Sequence, residues 1–96
     1  MGDVITDLQA TLQDRKARPS PGSYTAQLLT AGEDEIAKKI GEEAIEVLLA
    51  AKGQGNQRLV EESADLIYHL LVLLVSRDLT WADVEAELAR RRKPDA

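Results

Sequence analysis

The feature that most narrows the folds open to this chain is a duplicated acid pattern between Lys38 and Asp65. Glu42, Glu43 and Glu46 form one trio, and Glu61, Glu62 and Asp65 form the other. In each, two adjacent acids precede a third that lies three residues from one and four from the other. On α-helices, at about 100° per residue, each trio occupies roughly 100° of the circumference. A short break containing Gly53 and Gly55 separates the trios. The stretch therefore reads as a helical hairpin whose carboxylate clusters can face each other.

The apolar residues around the acids matter as much as their spacing. On a helical projection of the first segment, Ile36, Ile40, Ala44, Val47 and Ala51 make one apolar face, and Ile45 and Leu49 a second, narrower one. The first trio lies between them. In the second segment, Val60, Ala64, Ile67, Leu71, Leu74 and Val75 make a broad face, widened by Leu66, Leu70 and Leu73. Only a thin polar stripe of Glu61, Glu62, Asp65, His69 and Ser76 remains. Carboxylates wedged between apolar arcs lose water and repel one another, at several kcal/mol per buried charge unless a cation compensates. A hard divalent cation such as Mg²⁺, which prefers oxygen ligands, is the economical compensation. The competing reading is a solvated acidic face with partners three or four residues away. Two trios of one geometry on consecutive helices favour the paired cluster.

Composition agrees with helices. The 96 residues suffice for one small domain, read here as residues 1–96. Apolar residues make up 44%, nearly all aliphatic, with no Phe, one Trp and two Tyr. Ala, Leu, Glu, Lys and Arg dominate. The net charge of −5 disfavours a general nucleic-acid binder, because phosphate neutralisation needs a basic surface. There is no cysteine, which excludes disulfides, thiol catalysis and zinc–thiolate sites. No apolar core follows a basic N-terminal segment, and Leu66 to Val75 is too short to span a bilayer. A soluble, cytoplasmic protein is expected, with no membrane or nucleic-acid partner.

Read in order, the chain gives four to five helices. The first runs from Asp3, a candidate cap, to about Lys16. Ala17 to Ser23, with two prolines and a glycine, is a loop that serves either as a connector or as a lid beside the acids. Ser23 caps a short helix over Tyr24–Thr30 that stops at Gly32. The first acid-bearing helix spans about Glu33–Lys52, with three acids in its opening turn. Gly41 inside it costs about 1 kcal/mol relative to Ala, so it predicts close approach of another backbone or a ligand. The second acid-bearing helix spans about Gln57–Arg77. Its apolar arc exceeds what one surface helix needs, which implies a second copy of the chain and a two-fold dimer. After a corner at Asp78 and Leu79, Thr80 caps the last helix with Asp83 in the capping-box position. Trp81 anchors that helix, Tyr68 packs in the core or dimer seam, and the basic run Arg90–Lys93 suits a helix C-terminus. The expected fold is an all-α bundle completed by homodimerisation.

The acid constellation lacks the features of several alternative chemistries. A di-iron carboxylate bundle needs Glu-x-x-His pairs, and His69 is the only histidine. No nucleophile-elbow motif is present, and six acids exceed the pair a glycosidase uses. Hard-metal phosphate chemistry fits best. The cation would neutralise developing charge and lower the pKa of a bound water, and a carboxylate free of metal would orient or deprotonate that water. Lys39 projects along the acid stripe, where it can reach a phosphate or pair with Glu43, while Lys38 faces solvent. His69 suits the polar stripe better than a Mg²⁺ shell.

Four segments carry a resemblance: GSYTAQLL at 22–29, KKIGEEAIEVLLAAK at 38–52, ESADLIYHLLVLL at 62–74 and LTWADVEAELARR at 79–91. They closely resemble the phosphoribosyl-ATP pyrophosphatase family of histidine biosynthesis, within the all-α nucleotide pyrophosphohydrolase (MazG-like) superfamily. The superfamily pattern EExxE followed by ExxD is met by Glu42, Glu43, Glu46, Glu62 and Asp65. The resemblance implies Mg²⁺-dependent hydrolysis of 1-(5-phosphoribosyl)-ATP to the corresponding AMP and pyrophosphate, by the stand-alone form of the enzyme in an all-helical dimer or larger assembly. It carries the metal role to those five acids, with Glu43 and Glu46 the catalytic candidates, and substrate contacts to Tyr24, Lys38, Lys39 and His69. Glu61 lies outside the motif. The nearest rival is a house-cleaning nucleoside-triphosphate pyrophosphohydrolase of the same superfamily. A helical interaction module with a solvated acidic face is the rival from another class.

Overall fold

Helices begin after Ser23 and Thr80, where the sequence supplies side-chain caps. In a computed structural model that describes residues 3–92, five α-helices follow one another: α1 (Asp3–Ala17), α2 (Tyr24–Ala31), α3 (Glu33–Gly53), α4 (Asn56–Ser76) and α5 (Trp81–Arg90). The described residues contain no strand. The Ser23 side chain accepts from the Ala26 N–H, and Gly32, at φ 105°, ends α2 and begins α3. Thr80 and Asp83 form the expected reciprocal capping box at α5. The roles expected of the Asp3 side chain and Lys93 lie outside what the structure describes.

The corner after α4 is a Schellman turn. Asp78 takes φ 58°, its N–H bonds the Val75 carbonyl, and the Leu79 N–H bonds the Leu74 carbonyl. Lys16 of α1 closes this end from outside. Its Nζ lies 3.2 Å from the carbonyls of Val75 and Ser76 and 2.8 Å from Asp78 Oδ1. A cation on the exposed carbonyls at a helix C-terminus is favoured by the helix dipole, so α1 is pinned to α4 by charge as well as by packing.

The α3–α4 hairpin is the largest interface in the chain, with α1 and α2 packed along it. The core consists of Leu12, Leu28, Ile36, Leu71, Val72 and Val75, with Tyr68 and Trp81 packed against it. Trp81 anchors α5 as expected, and its backbone N–H also donates to Gln9 Oε1 at 2.6 Å.

Several apolar positions read from periodicity are left uncovered by the chain itself. Ile45 and Leu49, together with Leu48, stay exposed on α3, and Val60 and Ala64 stay exposed on α4. Gly41 is not required by the chain's own packing: no neighbouring atom lies within 4 Å of where a Cβ would sit. Both follow from the size of the chain. Three short helices cannot wrap both sides of two 21-residue helices. The radius of gyration, 14.8 Å, accordingly exceeds the roughly 12.5 Å expected of a compact domain of this length. No helix is long and apolar enough to cross a membrane among the described residues.

Candidate active site

The antiparallel hairpin decides which acids meet. Glu43 turns toward α4, and one carboxylate oxygen each from Glu43, Glu62 and Asp65 lies within 4.8 Å of the other two. The three differ in setting: Glu43 is half-buried, Glu62 buried and Asp65 exposed. Burial pushes the Glu62 carboxyl above its usual range. Arg58 opposes that shift, and Asp65, Glu46 and Glu43 add to it. A buried carboxylate that resists ionisation among other acids is a site for added positive charge. Oxygen donors from two helices suit a hard divalent cation, which typically takes one or two carboxylates and completes its shell with water or phosphate oxygens.

The remaining motif acids flank this group. Glu42 pairs with Lys39 at 3.3 Å. Lys39 thus takes the acid three residues on rather than Glu43, and hydrogen bonding to Glu42 raises its pKa. Glu46 stands near enough to act electrostatically on both Glu62 and Arg58. Glu61 faces Arg58 and Gln57 and takes no part in the three-oxygen group. The symmetric pairing of the two trios is therefore incomplete. Each helix presents a different subset, because the rotation of α3 against α4 brings one edge of each acid stripe inward.

His69 joins α2 to the site. It is buried, and its Nδ1 lies 2.8 Å from the Asp65 carbonyl, which can only accept. In the neutral ring Nε2 is then the acceptor, and the Tyr24 hydroxyl donates to it at 3.0 Å. Thr25 and Tyr68 hydroxyls are hydrogen-bonded alongside. The Tyr68 and His69 rings meet edge to face at 5.0 Å. The sequence held Tyr24 and His69 as separate candidates. The structure makes them one unit that seats the first turn of α2 against α4. Burial raises the Tyr24 phenol pKa, and nearby Lys39 works against that rise. Tyr24 and Lys39 also line a groove of about 270 Å³ with Gln27, Leu28, Ala31 and Glu35. Lys38 is exposed, about 100° further round α3.

Residues 18–23 join α1 to α2. The Ser23 N–H bonds the Ser20 carbonyl at 3.0 Å, and Gln27 Nε2 donates to the Pro21 carbonyl at 3.2 Å. The site residue that the sequence reading missed is Arg58, which bonds both Glu61 and Glu62. Its position three and four residues before those acids was the available signal.

Comparison with known proteins places the chain in a family. The family model described as phosphoribosyl-ATP pyrophosphohydrolase matches residues 5–92. The chain belongs to that family. It is 57% identical to a phosphoribosyl-ATP pyrophosphatase of Pelotomaculum thermopropionicum over 91 residues, covering 95% of this chain and 93% of the relative. Relatives of the same name occur in Pyrobaculum aerophilum, at 51% identity over 94% of this chain and 96% of the relative, and in Haloarcula marismortui, at 50% over 95% of each. All of the candidate residues fall inside the span matched by the family model.

Proposed function

We propose that this chain hydrolyses 1-(5-phosphoribosyl)-ATP to 1-(5-phosphoribosyl)-AMP and pyrophosphate, a step of histidine biosynthesis in the cytoplasm, and that it uses Mg²⁺. The observation that carries the metal reading is the convergence of Glu43, Glu62 and Asp65 oxygens within 4.8 Å across two helices. Glu42 and Glu46 are the flanking acids of the set. Bound there, Mg²⁺ would offset the carboxylate charge, bind phosphate oxygens and make a coordinated water more acidic.

The chain's own residues do the rest. Lys39, on the same helix and already beside Glu42, offers its ammonium to a phosphate oxygen. Tyr24 presents its ring at the groove beside Lys39, and His69 holds the Tyr24 hydroxyl in place. Lys38 extends the basic edge of α3. Glu46 lies outside the three-oxygen group but close to Glu62, a position from which its carboxylate can accept the proton of the attacking water. Glu43 would hold the cation and, through it, help set the orientation of the reacting phosphate.

A homodimer belongs to the same reading. The chain exposes 6774 Å², against about 5400 Å² expected for a folded monomer of its mass. The excess is of the order that one partner contributes to a standard interface, about 800 Å². Ile45, Leu48 and Leu49 of α3 supply an exposed apolar stripe, and Gly41 lies on the same face one turn earlier. A glycine there admits a closely packed helix of the second copy.

Pyrophosphate release from phosphoribosyl-ATP, with deoxynucleoside triphosphates as parallel substrates, tests the function. Turnover of phosphoribosyl-ATP alone supports it. Turnover confined to the deoxynucleotides would move the chain to the house-cleaning branch, and no turnover by folded protein would overturn the enzymatic reading.

A further inference from the structure

Arg58 sits where the acid cluster is most buried, yet it belongs to none of the motif positions. Its guanidinium is split over two carboxylates. Nη1 donates to Glu61 Oε1 at 2.6 Å, and Nη2 donates to the neighbouring Glu62. The two acids differ sharply in setting. The Glu61 side chain is 44% exposed, whereas that of Glu62 is 7% exposed. Glu61 is further steadied by Gln57, whose Nε2 donates to Oε2 at 3.2 Å. Gln57, Arg58 and Glu61 thus form a small frame on the first turns of α4. One fork of the guanidinium is tied to that frame, and the other is tied to an acid of the three-oxygen group.

A divalent cation on Glu62 and the Arg58 fork compete for the same carboxylate, and like charges so close repel. The contact that would break is the one to Glu62, because Glu61 lies outside the group and would keep its hold. We propose that Arg58 is an exchanging charge: it neutralises Glu62 while the acid cluster is empty and, still anchored by Glu61, turns its freed Nη2 to a phosphate oxygen of the bound substrate or product. This rests on the reading of Glu43, Glu62 and Asp65 as the cation site. It gives a role to Glu61, which the motif leaves idle. It also makes Arg58 a positioning and binding residue for the pyrophosphate portion, since a planar guanidinium recognises phosphate oxygens through paired N–H donors.

The exchange predicts opposite effects of one substitution. Mn²⁺ binding to the substrate-free protein, measured by calorimetry, tightens about threefold or more in Arg58→Gln, because its competitor for Glu62 is gone. Affinity for inorganic pyrophosphate at saturating Mg²⁺ weakens about threefold or more in the same variant. Lys52→Gln, a like charge removed at an exposed site on α3, sets the background effect of net charge on both readouts. Glu61→Gln weakens pyrophosphate without tightening Mn²⁺. Circular dichroism confirms that each variant is folded. The inference is overturned if Arg58→Gln moves Mn²⁺ binding no further than Lys52→Gln does, or if pyrophosphate binding is unchanged or tighter. Failure of the wild type itself to bind Mn²⁺ would overturn the cation site, and this inference with it.

Discussion

Replacing Leu48 by glutamate attacks the proposed dimer without touching the acid cluster. Leu48 is 63% exposed on α3, between Ile45 and Leu49, which are 57% and 49% exposed. Complete burial of a leucine contributes about 1.5–3 kcal/mol, so covering the exposed part of this one contributes about 1–2 kcal/mol. A two-fold interface uses each position twice, which doubles the figure to about 2–4 kcal/mol. Leu48→Glu forfeits that and must also desolvate two carboxylates, each costing further free energy. The dimer dissociation constant is therefore expected to rise at least about 100-fold. Sedimentation across a concentration series reads this directly, with circular dichroism to show that the helices persist. Leu48→Ala, which removes area without adding charge, should give a smaller rise of about tenfold. A Leu48→Glu protein that dimerises as tightly as wild type would refute the assignment of this face. A wild type that stays monomeric would refute the dimer altogether.

Other outcomes follow from single contacts. Tyr24→Phe leaves the buried His69 Nε2 without its donor, a loss of about 1–3 kcal/mol that should lower Tm by several degrees and raise the KM for nucleotide. Glu62→Gln should abolish stabilisation by Mg²⁺ in thermal melts. It should also remove a pH dependence of the metal-free fold. The Glu62 carboxyl is raised above its ordinary 4.5 in the folded chain, so its contribution favours folding at low pH and is lost as pH rises from 4.5 through the raised value. Glu33 behaves in the opposite sense, because Arg77 lowers its pKa. Its stabilising effect is complete above 4.5, is lost as pH falls through the lowered value, and disappears in Arg77→Gln. Leu71→Ala, at a fully buried position, should cost about 2–5 kcal/mol in denaturant melts, while leaving Mg²⁺ affinity of the folded protein unchanged.

The local determinants were legible in the sequence because they act within one or two turns. Ser23, Gly32, Thr80 and Asp83 each bound a helix where their chemistry requires it. The acid stripes were equally plain, since spacing alone puts each trio on one face. Which acids meet was not legible, because that depends on the rotation of α3 against α4. Rotation sends Glu43, Glu62 and Asp65 together and leaves Glu42 to Lys39 and Glu61 to Arg58. The Tyr24–His69 contact joins residues 45 positions apart, and no local pattern encodes it. Ile45, Leu49 and Val60 show a similar limit. Periodicity marks them as apolar without telling which partner, the same chain or a second copy, covers them.

The central claim is that carboxylates from both arms of the hairpin hold the cation on which hydrolysis depends. The most direct measurement is pyrophosphate release from phosphoribosyl-ATP by metal-stripped protein titrated with Mg²⁺, for wild type, Glu43→Gln on α3 and Asp65→Asn on α4. The account predicts no release before Mg²⁺ is added, full recovery in wild type, and in both variants a large loss of rate with a higher Mg²⁺ requirement. Release that needs no divalent cation, or variants that titrate like wild type, would contradict it.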